Sequence, residues 1–257
     1  MTEEGRKNKE CNRIDQIKWP GFSMSPALII PAYNHGRQIG EVICKARQLK
    51  LPIFVIDDGS TDSTPQVLAS LDGITVLRHA ENQGKGAALL TGFRAAEQKG
   101  HDWAISLDSD GQHHPEDAGN LLQAVQDGKR CLVIGKRQGM EENVNVPWTS
   151  RLGRGFSNFW VWAAGGPWLT DSQSGFRLYP LPEAQHLAVQ ARRYQFEVEI
   201  LVQARLHGLV VKEAPIRVIY QPKGVRVSHF QPWLDFWRNS VTFNRLIWER
   251  IFRVFTR

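Results

Sequence analysis

Short apolar runs recur along the first half of the chain, and each is followed by a longer segment with apolar residues at helical spacing. Strands are predicted over 27–31, 53–56, 74–77, 103–107 and 132–134, and helices over 39–49, 64–71, 86–99 and 115–126. The Ser/Thr/Asp cluster before the second helix suits an N-cap. This β–α alternation predicts an α/β three-layer sandwich, with a mostly parallel central sheet covered by helices on both faces. Residues 136–147 read as loop, followed by a helix over 150–164, strands over 176–179 and 209–218, and a helix over 195–207 between them. The last segment places Trp233, Phe236, Trp237, Val241, Ile247, Trp248, Ile251, Phe252 and Phe255 at near-helical spacing among five arginines. That is the pattern of a C-terminal amphipathic helix, suited either to a membrane surface or to packing on the domain.

At 257 residues and 42% hydrophobic composition the chain can bury one full core. The division expected is a polar leader over 1–25, one α/β domain over 26–220, and a closing loop with the C-terminal helix over 221–257. The first ten residues lack an apolar signal core, and no run approaches the roughly 18 apolar residues of a membrane span. A cytoplasmic protein, peripheral at the inner face of the membrane, is the expectation. The net charge of +6 suits an anionic partner without choosing one.

The polar residues after the strands narrow the choice. Tyr33-Asn34-His35 follows the first strand and Asp57-Asp58-Gly59-Ser60 the second. Asn82-Gln83-Gly84-Lys85-Gly86 follows the third and Asp108-Ser109-Asp110-Gly111-Gln112 the fourth. In a parallel sheet these four loops converge on one edge, where ligands bind. Asp108, Asp110 and Gln112 offer hard oxygen donors of the kind Mg²⁺ or Mn²⁺ prefers, with positions left for substrate phosphates. Tyr33 offers a stacking face and Asp57 a hydrogen-bond acceptor, while Asp58 suits either a ligand or the Asp-Gly-Ser turn itself. Lys85 precedes a helix and suits a phosphate or base contact. The P-loop pattern fails, because His79 stands where glycine is needed and Gly86 follows Lys85. His113 and His114 have no third nitrogen or sulfur partner at zinc spacing.

Taken together, Ile30-Pro31-Ala32-Tyr33-Asn34, the Asp57–Asp62 run, Asn82-Gln83-Gly84-Lys85-Gly86 and Asp108-Ser109-Asp110-Gly111-Gln112-His113 resemble glycosyltransferase family 2, whose nucleotide-binding fold is GT-A. Asp171-Ser172-Gln173-Ser174-Gly175-Phe176-Arg177 and Glu213-Ala214-Pro215-Ile216 resemble its polyprenyl-phosphate sugar synthase branch. The resemblance implies a metal-dependent, inverting transfer from a UDP- or GDP-sugar to a lipid-linked acceptor, with polyprenyl phosphate as that acceptor. Pro31, Tyr33, Asn34, Asp57, Asp58, Lys85 and Ser109 would hold the nucleotide sugar, and Asp108, Asp110 and Gln112 the metal and diphosphate. Arg137, Arg151, Arg154, Ser157 and Arg177 would face the acceptor phosphate, for which the guanidinium fork is suited. The family usually carries Glu where this chain has His35.

The acceptor decides the mechanism. A phosphate oxygen is already anionic, whereas a hydroxyl needs a base, and Asp171 is the candidate for that role beside Asp110 at the metal. If the acceptor is a phosphate, Asp171 is instead expected to bind the backbone or an arginine. Residues 232–257 would lie on the membrane surface, and Lys223, Arg226 or His229 would close over the diphosphate. Two rivals differ in class. A sugar nucleotidyltransferase would open with a Gly-rich loop ending in Arg and Lys, which 31–37 matches poorly. A membrane-surface binding protein would bind without turnover. No nucleic-acid recognition motif is present, and no protein partner is read from the chain.

Overall fold

The structure, a computed structural model, describes residues 24–125, 128–139, 148–219 and 232–255; side chains are described outside 148–152, 232–236 and 253–255. The leader before residue 24 and the expected closing residues Lys223, Arg226 and His229 lie outside the described residues. The elements in order are β1 (Pro26–Ala32), α1 (Ile39–Ala46), β2 (Ile53–Asp57), α2 (Thr64–Ala69), β3 (Thr75–Arg78), α3 (Lys85–Gln98), β4 (Trp103–Ser106) and α4 (Ala118–Gln123). They continue with β5 (Cys131–Arg137), α5 (Trp148–Ala163), β6 (Arg177–Pro180), α6 (Leu181–His186), α7 (Phe196–Leu206), β7 (Val210–Ile216) and α8 (Pro232–Phe255).

The seven strands form one sheet in the order β3-β2-β1-β4-β6-β5-β7. Every pairing is parallel except those of β6, which runs antiparallel to both β4 and β5. The central strands read as continuous apolar runs because both faces are covered. Along β1, Ala27 and Ile29 enter one core with Phe93, Tyr179 and Phe196, while Leu28 and Ile30 enter the other with Ile39, Ile43 and Leu121. Alternate side chains on opposite faces are what the strand period of two dictates.

Three differences from the sequence reading have physical reasons. The helix read over 115–126 begins as a 3-10 turn, Pro115–Asp117, in which Asp117 turns its carboxylate to the backbone N–H and guanidinium of Arg217, so α4 starts only at Ala118. The strand read over 132–134 extends to Arg137, since its in-register pairing with β7 continues to Ile216. The C-terminal helix is bound to the domain along one side: Phe243 and Leu246 are buried in the first core, and Arg245 pairs with the buried Glu199 at 2.6 Å. Its Trp237, Trp248 and Phe252 are each more than half exposed. The packing read for this helix is thus realised along one side. No helix among the described residues is long and apolar enough to cross a membrane.

Candidate active site

The ends of β1 and β2 build the first wall. Beyond β1, Asn34 takes a positive φ of 54°, and its side-chain oxygen accepts the backbone N–H of Thr61 at 2.8 Å and of Asp62 at 3.3 Å. Asn34 thus tethers the loop after β2. At the tip of β2, Asp57 accepts the N–H of Ser60 at 2.9 Å through Oδ1. Its Oδ2 is buried without a hydrogen bond, with Arg78 Nε at 3.3 Å. A carboxylate oxygen held this way is suited to receive donors from a ligand. Asp58 points elsewhere: it accepts from His79 Nδ1 at 2.7 Å and from the N–H groups of Gln83 and Gly84 at 2.9 and 2.8 Å. Asp58 thus joins the second and third loops, while the Asp-Gly-Ser turn that it was read as bracing is held by Asp57. Pro31 is buried within β1, and Tyr33 is half-buried just after it.

The centre lies beyond β4. Asp108 Oδ1 is 2.5 Å from the ammonium of Lys85, which is also 2.6 Å from Glu197 Oε1 on α7. His113 Nε2 stands 3.8 Å from Asp108 Oδ2, its ring against Phe176 with centroids 5.4 Å apart. Asp110 accepts the N–H of Gln112 at 3.0 Å, and Ser109 between the two aspartates is buried. The protonation preferences of the two aspartates diverge. Burial alone would raise Asp108, but the Lys85 ammonium, followed by His113, outweighs it and holds the carboxyl well below the usual range. Burial and then the charge of Asp108 push Asp110 upward. For Lys85, burial is outweighed by the attraction of Asp108 and Glu197, so the amine is held charged well above the ordinary lysine range.

Two glycines make this geometry attainable. A Cβ at Gly175 would fall on the Asp108 carboxylate and lie 2.5 Å from Lys85 Nζ. A Cβ at Gly86 would lie 2.5 Å from Cβ of Phe196, so the Gly-rich loop before α3 serves close packing against the start of α7 and brings Lys85 to Glu197. Sequence reasoning passed over Glu197. Its signal is the alternation Phe196-Glu197-Val198-Glu199-Ile200, two acids interleaved with apolar residues at the start of a helix, and both are buried. Buried carboxylates of this kind need partners, and here they find Lys85 and Arg245.

On the expected acceptor side the residues divide. Arg137, at the end of β5, donates to Asp171 through Nε and Nη2 at 2.6 and 2.8 Å, and Asp171 is fully buried. Both oxygens of Asp171 are engaged by one guanidinium, the arginine pairing expected of it where the acceptor is a phosphate. Arg177, read as facing the acceptor, is fully buried and donates to the backbone carbonyls of Ser174, Glu197 and Ser172 at 2.6, 2.7 and 2.8 Å, bracing the interior. Ser157 is buried, with its hydroxyl 3.0 Å from that of Ser172. Arg154 is half-buried on α5, and Arg151 lies on the same helix with its side chain outside the described residues.

Asp108 and Asp110, two half-buried aspartates just beyond β4, share one edge of a mostly parallel sheet with Asp57 at the end of β2. Residues 27–181 match the family model Glycosyl transferase family 2, and the chain belongs to that family. It is 32% identical to the UDP-N-acetylglucosamine–dolichyl-phosphate N-acetylglucosaminyltransferase of Methanococcus voltae over 213 residues, covering 75% of this chain and 85% of that one. It is 30% identical to the polyprenol monophosphomannose synthase of Mycolicibacterium smegmatis, covering 77% and 78%. Among solved structures, mannosyl-3-phosphoglycerate synthase from Rubrobacter xylanophilus superposes with a TM-score of 0.63 at 18% identity, over 98% of this chain and 78% of that one. The chain is thus a family 2 glycosyltransferase of GT-A type, and its named relatives place it with the dolichyl- and polyprenyl-phosphate sugar synthases.

Proposed function

We propose that the protein transfers a sugar from a UDP- or GDP-sugar to a polyprenyl phosphate, with inversion and with a divalent cation, Mg²⁺ or Mn²⁺, at Asp108, Asp110 and Gln112. The observation that carries this reading is the placement of Asp108 and Asp110 just beyond β4, which pairs in parallel with β1, whose other parallel neighbour ends at Asp57. Among the described residues no three His, Cys, Asp or Glu side chains are grouped to cage a metal. Two carboxylates fit an ion that takes few protein ligands and completes its shell with water and substrate phosphates. Such an ion, when bound, supplies neutralisation of the charge that grows on the departing diphosphate.

The protein's own residues account for the remainder. Asp57 would accept from the base or ribose, and Tyr33 and Pro31 would line its pocket. Arg137, Arg154, Arg151 and Ser157 fall on β5 and α5, where an anionic acceptor would approach. A hydroxyl acceptor is disfavoured because Asp171, its candidate base, is already ion-paired with Arg137. The exposed aromatic side of α8, with Trp237, Trp248 and Phe252, and that of the neighbouring α5, with Phe159 and Trp162, suit a peripheral position on the lipid surface where such an acceptor resides.

The test is transfer from radiolabelled UDP- and GDP-sugars to polyprenyl phosphate in detergent, with a free polyprenol as the hydroxyl control. Labelled lipid from the phosphate alone, lost on adding EDTA, is the expected result. Transfer to the free polyprenol but not the phosphate would overturn the acceptor, and undiminished transfer in EDTA would overturn the metal. Release of pyrophosphate with formation of a sugar nucleotide would favour a nucleotidyltransferase instead.

A further inference from the structure

The proposed metal site is guarded by a cation of the protein itself. Lys85 Nζ lies 2.5 Å from Asp108 Oδ1 and 2.6 Å from Glu197 Oε1, with its side chain only 16% exposed. The three groups come from three distant parts of the chain, the start of α3, the loop after β4 and the start of α7, and they meet over Gly175, where no side chain fits. An ammonium in this position neutralises one of the two carboxylates that a divalent ion would need, and it repels such an ion at close range.

We infer that Lys85 is a placeholder for the metal in the free enzyme, and that Glu197 is the site to which it withdraws. This rests on the reading of Asp108 and Asp110 as metal ligands. For Asp108 to turn to a cation, the ammonium must leave it, and Glu197 supplies the anion that keeps the displaced ammonium paired in a largely buried setting. A nucleotide diphosphate brings further anionic oxygens within the lysine's reach, so cation and sugar nucleotide are expected to bind as a unit and the cation alone weakly. Glu197 is on this account a positioning residue, acting through Lys85.

The two residues have opposite signatures, which separates the placeholder from a merely structural ion pair. Binding of Mn²⁺ alone, followed by electron paramagnetic resonance of the free ion, is measured for the wild-type chain, Lys85→Met, Lys85→Gln and Glu197→Gln, each checked for a cooperative thermal transition. Removing the lysine's charge is expected to tighten Mn²⁺ binding at least tenfold, and Glu197→Gln to weaken it. Lys85→Gln keeps hydrogen-bonding capacity toward both carboxylates and replaces Lys85→Met should the latter fail to fold. Equal or weaker binding of Mn²⁺ by the lysine variants, in a protein whose transfer activity requires the ion, would overturn the placeholder and leave the metal assignment standing. If instead no variant binds Mn²⁺ and transfer persists in EDTA, the metal assignment itself has failed, and the placeholder with it.

Discussion

The half proposed to hold the donor and the half proposed to hold the acceptor are built by different rules. From β1 to β4 each functional group sits within a few residues of a strand end, and its neighbours are local or come from the adjacent loop: Asp57 with Ser60, Asp110 with Gln112, and Asn34 with Thr61. From β5 onward groups are held by partners farther along the chain: Arg137 by Asp171 and Thr170 by Glu213. A strand-end loop can present polar groups to a ligand because the sheet behind it is rigid. Groups brought together from separate elements must first satisfy one another, and Arg137 and Arg177, which read as anion receptors, are engaged in this way. Lys85 joins the two regimes, since it belongs to the donor half by sequence and is paired across to α7.

The largest effect should come from the donor half. Asp110→Asn is expected to lower turnover on the order of a thousandfold while the melting temperature stays near that of the wild type, because it removes a group facing developing charge and not a buried pair. The acceptor half should respond in the opposite sense. Arg137→Ala strands Asp171, which is fully buried, and is expected to cost about 3 kcal/mol of stability by denaturant titration. Retention of full stability there would erase the contrast between the halves. Gly175→Ala sits where the halves touch, and pressing a methyl onto Asp108 and Lys85 should cost roughly 1–3 kcal/mol and reduce turnover as well. The smallest effect concerns Asp62, whose carboxylate is held below its ordinary 3.8: burial opposes this but is outweighed by hydrogen bonds from Thr64 and from the N–H of Gly36. A depressed folded value means that its stabilising contribution is present above 3.8 and disappears as pH falls through the folded value. Asp62→Asn should therefore destabilise by less than about 1 kcal/mol near neutral pH and by nothing in strong acid.

The same contrast explains what could be read from the amino acids. The β–α alternation and the four polar strand-end loops were legible because strand period, turn glycines and hard oxygen donors are local patterns. The antiparallel insertion of β6 between β4 and β5 was not, since Arg177-Leu178-Tyr179-Pro180 carries no mark of direction. The divergence of Asp57 and Asp58 could not be decided from an Asp-Asp-Gly-Ser run, as it depends on the His79 ring and the Gly84 N–H meeting the Asp58 carboxylate. Arg177 read as a cation for the acceptor because a chain of symbols does not show three carbonyls converging on its guanidinium. Glu197 left a trace, an acid among apolar residues at the start of a helix, but its partner lies 112 residues away.

Calorimetric titration of GDP- and UDP-sugars into the wild-type chain, with Mn²⁺ and again with EDTA, tests the paired carboxylates beyond β4 most directly. One of the two donors should bind at least tenfold more tightly with the ion present, and Asp110→Asn should abolish the difference. Equal affinity with and without the ion would contradict the assignment of Asp108 and Asp110.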